Sequence, residues 1–140
     1  MMMTQAAAMM PPDVATRVQT YRRVLLVSIV LNILIGIFIL FWPDKYAEIL
    51  NIPEAFPDTW PRHWGAQLLA INALYIPGYV APLRHRYPNV AGIVIRLSFA
   101  LFFFTQGGGF IWMGIYDGLF GLALLFTYRS ALRANLLSKP

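Results

Sequence analysis

From Val24 to Trp42 the chain carries no charged side chain, and a run of this kind matches the roughly 20 apolar residues that cross a hydrocarbon core as a helix. Three further stretches share its character. Trp64–Leu83 is uncharged, with Arg62 and His63 before it and Arg84, His85 and Arg86 after it. Pro88–Gln106 carries only Arg96, and Phe110–Tyr128 carries only Asp117. Between the last two lies Gly107-Gly108-Gly109, whose free backbone dihedrals suit a tight helix-to-helix turn. The pattern therefore predicts an all-α fold, an integral membrane four-helix bundle with spans near 24–42, 64–83, 88–106 and 110–128. A tail over 1–20 is expected before the bundle and a second over 131–140 after it.

Composition supports bilayer rather than water as the solvent. Of 140 residues, 59 % are hydrophobic and 12 % charged, against about 25 % charged in an ordinary soluble domain. A water-soluble domain of this size leaves too much of its surface exposed to hide so much apolar side chain. A competing parse joins Leu97–Tyr116 into one span and gives three crossings. It buries three consecutive glycines in mid-span and sends Arg129, Arg133 and Lys139 outside, both unfavourable.

Orientation follows from the basic residues. With the N-terminus inside, the inner segments hold Arg17, Arg22, Arg23, Arg84, Arg86, Arg129, Arg133 and Lys139, and the outer ones only Lys45 and Arg62. The positive-inside rule then places both termini in the cytoplasm of a bacterial-type inner membrane. Residues 1–23 lack the early basic stretch, short apolar core and cleavage site of a signal peptide, so the first span is expected to be an uncleaved anchor. The outer connection Pro43–Pro61 is the one long loop, with a short interfacial helix expected over Lys45–Leu50. Trp42, Tyr46, Phe56, Trp60 and Trp64 gather at its level, as aromatic belts do.

Polar residues inside spans are costly, so their positions carry information. Asn32, Asn72, Arg96 and Asp117 each fall near the centre of their own span, which at about 1.5 Å per residue predicts one layer near the bilayer midplane. Small residues share their faces: Ser28, Asn32 and Gly36 in the first span, Gly65, Asn72, Tyr75 and Tyr79 in the second, Gly92, Arg96 and Ala100 in the third, Gly114, Asp117 and Gly121 in the fourth. Small residues beside a polar one let helices approach closely and let the polar group find a partner. The expectation is an Arg96–Asp117 ion pair assisted by Asn32 and Asn72, with Tyr75 at the same site. Arginine and a carboxylate can meet in a bidentate geometry. Three roles are open to such a pair: fixing helix register, lining a ligand pocket, or carrying protons.

Other chemistries lack their residues. No cysteine is present, which excludes disulfides, iron–sulfur clusters and thiolate zinc. His63 and His85 fall at opposite membrane surfaces and cannot face one another across a haem or share a zinc ion. The glycine run lacks the strand, helix and lysine of a phosphate loop. Ser28 and Ser98 have no histidine in reach for nucleophilic catalysis. The net charge of +5 is spread over span ends rather than gathered in a patch, which argues against nucleic acid. No cofactor, no metal and no catalytic residue are expected.

Trp60, Arg62 and Trp64-Gly65 ahead of and at the start of the second span, Tyr75 within it, Pro82 and Arg84 after it, then Arg96 and Asp117-Gly118, form an ordered set. In this the chain resembles the small bacterial membrane proteins of the DoxX-like group, including BphX-like proteins, over about Val24–Tyr128. The resemblance implies a four-span bundle. Some relatives in that group are associated with quinone-linked oxidoreductase complexes and others with operons for degrading hydrophobic compounds. The function expected is that of a multi-pass membrane protein without enzymatic activity of its own. It serves as an accessory subunit of a membrane complex or binds a lipophilic small molecule such as quinone. The alternative is a membrane subunit of a quinone-linked oxidoreductase. Its partners are lipid and such subunits or ligands.

Overall fold

The computed structural model describes residues 10–138 and is all-helical over them, in five helices: α1 (Pro12–Phe41), α2 (Pro43–Leu50), α3 (Thr59–Val80), α4 (Arg86–Gln106) and α5 (Phe110–Leu137). Proline stands at the start of α1 and again of α2, where its fixed φ suits a first turn and its missing N–H costs nothing. The four long helices close a ring, with contacts running α1–α3, α3–α4, α4–α5 and α5–α1; the α3–α4 contact is the thinnest. α1, α4 and α5 are long and apolar enough to cross a membrane; α3 is not among them by that measure. Arg62, His63, Gln67 and Asn72 lower its hydropathy, as do tryptophans and tyrosines that favour interfaces.

Buried positions on α1 are Val14, Val18, Tyr21, Leu25, Ser28, Asn32, Gly36 and Ile39. Their spacing alternates mostly between three and four, the seam of a helix that packs along one stripe. Gly36 on that stripe meets Gly65 of α3 backbone to backbone: a methyl on Gly65 would stand 2.7 Å from the Gly36 carbonyl oxygen. Lower down, Tyr21, Leu25, Tyr75, Ile93, Leu124 and Tyr128 form the main apolar cluster. Tyr21 and Tyr128 have ring centroids 4.9 Å apart. Aliphatic side chains such as Leu34, Leu74, Leu101 and Leu119 point outward and are exposed.

Several boundaries differ from the sequence reading: α3 runs Thr59–Val80 rather than 64–83, and the two ends differ most. Helix replaces tail at both ends, because α1 starts at Pro12 and α5 continues to Leu137. There Val14 and Val18 pack on Ala131 and Ala134, and Arg17 donates to Ser130 Oγ at 2.6 Å. Small alanines on one helix and valines on the other let the two ends zip together, which a reading based on span length alone misses. Residues 1–9 of the expected tail, and Lys139, lie outside the described residues. The glycine run does break the chain between α4 and α5, so Leu97–Tyr116 is not one helix: Gly107 and Gly108 have φ of 70° and 53°, a region open to glycine. Gly109 is needed for space instead, since a Cβ there would collide with the Leu50 carbonyl at the end of α2.

Candidate functional site

Arg96 is carried inward by α4 on the face shared with Gly92, Ile93 and Ala100, and is 4 % exposed. Its Nη1 donates to Asp117 Oδ1 of α5 at 2.8 Å, and its Nη2 donates to Ser28 Oγ of α1 at 2.6 Å. One guanidinium thus ties three helices. The rings of Tyr116 and Phe120 flank it, each centroid 5.8 Å from Cζ, within range of a cation–π attraction. Arg96 Nε is buried with no partner among the described residues.

The pairing of Arg96 with Asp117 agrees with the sequence reading, but its assistants do not. Arg96 bonds Asp117 through one nitrogen rather than as a fork, because the other reaches Ser28. Asn32 sits one turn beyond Ser28 and accepts from the Tyr116 hydroxyl at 2.7 Å. Asn72 turns back on its own helix, donating to the Leu68 carbonyl at 2.6 Å, and its Oδ1 is buried without a partner among the described residues. The physical reason is rotation: polar residues at matching depth meet only if their helices also turn the right face. Tyr75 lies against Gly92, where any Cβ would strike its ring, so this glycine admits the phenol beside Arg96.

Above the pair, toward α2, the ring of helices lines a partly open cavity of about 440 Å³. Asn32, Tyr75, Arg96 and Asp117 line its deep end, and Asn72 does not line it. Its walls are apolar and aromatic, with Ile71 and Trp64 from α3, Phe99 and Phe103 from α4, and Trp112 and Met113 from α5. Pockets that hold small molecules have this make-up, apolar walls with a few polar groups to orient the ligand. Exposed Gln67 of α3 and Ile95 of α4 also line it.

The short helix α2 closes the other end, and Tyr46 is the side chain it contributes over the cavity, with Ile49 and Leu50. Tyr46 stacks edge-on against both Trp64, 6.0 Å between centroids, and Phe38, at 6.2 Å. Burial, together with the nearby Asp117 and Tyr116, raises its phenol above the ordinary value, so it stays an uncharged hydroxyl. A polar clamp holds this end together. Arg62 donates to the Leu40 carbonyl at 2.7 Å, an orphan of the last turn of α1, and to Asp58 at 2.8 Å.

Sequence reasoning overlooked Ser28 as a ligand of the arginine, Tyr116 as the partner of Asn32, and Asn89. Asn89 is buried and its Nδ2 reaches the carbonyls of Gly78, Pro82 and His85 at 3.3, 3.2 and 3.2 Å. The signal for it was present, an asparagine one turn inside a span after a proline-broken connection whose carbonyls need donors. Among the described residues no cluster of three or more histidine, aspartate or glutamate side chains is placed to hold a metal ion.

Taken together, the chain is an all-helical protein with three helices fit to cross a membrane and a walled cavity above a buried ion pair. No family profile, curated protein or solved structure matches it.

Proposed function

We propose that this chain is a bacterial inner-membrane protein whose four long helices all cross the bilayer, with both termini cytoplasmic, and that it binds a lipophilic small molecule without catalysing a reaction. The observation that carries the proposal is the cavity itself. Its apolar, aromatic walls end on an arginine whose charge is already matched by Asp117. In a bilayer such a polar floor is costly unless it serves register or recognition, and here an open space stands over it. Exposed Gln67 and Ile95 on the cavity's lining, between the helix pair with the slightest contact, support entry of a ligand from the lipid phase.

Purification in a mild detergent followed by native mass spectrometry and solvent extraction tests this. The expected result is one lipophilic species near equimolar with the protein, and its loss from the double variant Gln67→Phe/Ile95→Phe, which narrows the side of the cavity. Only bulk lipid, in equal amount on both proteins, refutes the proposal. A second reading, a subunit of a quinone-linked oxidoreductase as the DoxX-like resemblance suggests, is favoured by the aromatic walls, which suit a flat ring. Co-purifying redox subunits or bound quinone would select it.

A further inference from the structure

The polar end of the cavity has a definite hydrogen-bonding character. Asp117 Oδ1 is taken by Arg96, and among the described residues no donor reaches Oδ2. The Asp117 side chain is 17 % exposed and lines the cavity. Asn32 uses its Oδ1 to accept from Tyr116, and its amide Nδ2 has no partner among the described residues. Asn32 also lines the cavity. Among the described residues, Asp117 Oδ2 is thus an acceptor without a partner, and Asn32 Nδ2 and the hydroxyls of Tyr46 and Tyr75 are donors without one, all on residues lining the same space, with the chain Asp117–Arg96–Ser28 on one side and Asn32–Tyr116 on the other. The formal charges of Arg96 and Asp117 cancel. An incoming anion would meet a carboxylate already committed to the arginine, and an incoming cation would meet the guanidinium behind that carboxylate. Either would be buried without a counter-charge of its own, which is heavily unfavourable in an apolar site.

Resting on the ligand-binding reading above, we infer that the ligand is a lipophile with an uncharged hydroxyl head, an alcohol or a phenol. The hydroxyl donates to Asp117 Oδ2 and accepts from Asn32 Nδ2, and the apolar body lies between Trp64, Phe99, Phe103 and Trp112. A hydroxyl carries both a proton to donate and lone pairs to accept, matching the carboxylate oxygen and the donors. A ketone or ether can accept from these donors but leaves the carboxylate oxygen unmet, and a hydrocarbon uses neither kind of group.

The test uses the full chain in lipid nanodiscs with Trp42 and Trp60 replaced by phenylalanine, so that fluorescence reports Trp64 and Trp112 on the cavity wall. Ring-brominated para-hexylphenol quenches on contact and is compared with its methyl ether, the matched para-hexyl benzoate, the matched benzylammonium and hexylbenzene. Concentrations are expressed as mole fraction in the bilayer so that partitioning cancels. The phenol is expected to saturate at about tenfold lower mole fraction than the methyl ether, since the donated proton goes to a charged acceptor. The two ions are expected to bind most weakly. Equal binding of phenol and ether, or tighter binding of either ion, overturns the hydroxyl inference and leaves a lipophile-binding cavity standing. Quenching that never saturates for any of the five, and is unchanged in Gln67→Phe/Ile95→Phe, overturns the binding proposal as well.

Discussion

Asp117→Asn keeps the shape of the side chain and takes away its charge. Arg96 would keep Ser28 Oγ at 2.6 Å and could still donate to the amide oxygen, but would lose the counter-charge that sits 2.8 Å away in the parent, while staying 4 % exposed. Two routes give the cost. Breaking a buried ion pair from one side removes about 3–5 kcal/mol, and an unpaired charge near a bilayer centre costs about 2.5–3.5 kcal/mol on insertion scales. They agree near 3 kcal/mol, which for a chain of this size lowers the unfolding temperature by on the order of 10 °C. Arg96→Gln should lose a similar amount, because it leaves Asp117 charged and strands Ser28. The double variant Arg96→Gln/Asp117→Asn carries no buried charge and should recover more than half of the single losses. The assay is the fraction of protein remaining monodisperse after heating in nanodiscs, measured for the three variants and the parent. Losses that simply add would refute the coupling, and a shift for Asp117→Asn equivalent to less than about 1 kcal/mol would mean that the pair is solvated like a surface bridge.

Other outcomes follow from the packing. Gly65→Ala sets a methyl 2.7 Å from the Gly36 carbonyl and 2.8 Å from the Leu40 nitrogen, both backbone, so thermal stability should fall by about 1–3 kcal/mol. Gly118→Ala, whose nearest neighbour is the Ala100 methyl at 3.6 Å, should change it by less than about 0.5 kcal/mol; equal effects would show that α1 and α3 do not touch so closely. Asn89→Leu removes the side-chain donor shared by the Gly78, Pro82 and His85 carbonyls, of which Pro82 keeps the Tyr128 hydroxyl at 3.1 Å. A loss of about 2 kcal/mol is expected in the same heating assay, and an unchanged midpoint would rule that role out.

Much of the architecture is legible in the residues, for reasons that can be named. The stripe Ser28, Asn32, Gly36 predicts the buried side of α1 because a helix returns to one face every three or four residues. Gly107 and Gly108 announce a turn because few other residues accept their backbone angles. The partners of Arg96 were only half legible. Depth along a span can be counted, whereas rotation about the helix axis depends on packing, and it is rotation that gives the guanidinium Ser28 instead of Asn32. Tyr46 was further from reach, assigned to an aromatic belt although α2 folds back and lays it over the cavity. The helical ends were missed because only Val14, Val18, Ala131 and Ala134 reveal them, and those residues pack on each other rather than on the span core.

In the proposed topology α3 crosses the membrane with the other three long helices, although Gln67, Asn72 and its aromatic residues keep its hydropathy low. The chain has no native cysteine, so single cysteines can be introduced at Ala55, Gln106, His85 and Ser138 in turn, and intact cells treated with a thiol reagent that does not cross membranes. Four crossings predict labelling from outside at positions 55 and 106, and none at 85 or 138 until the cells are opened. If α3 stays outside the bilayer, the remaining helices run in the opposite sense: positions 55, 85 and 138 would label from outside and 106 would not. That pattern would contradict the account directly.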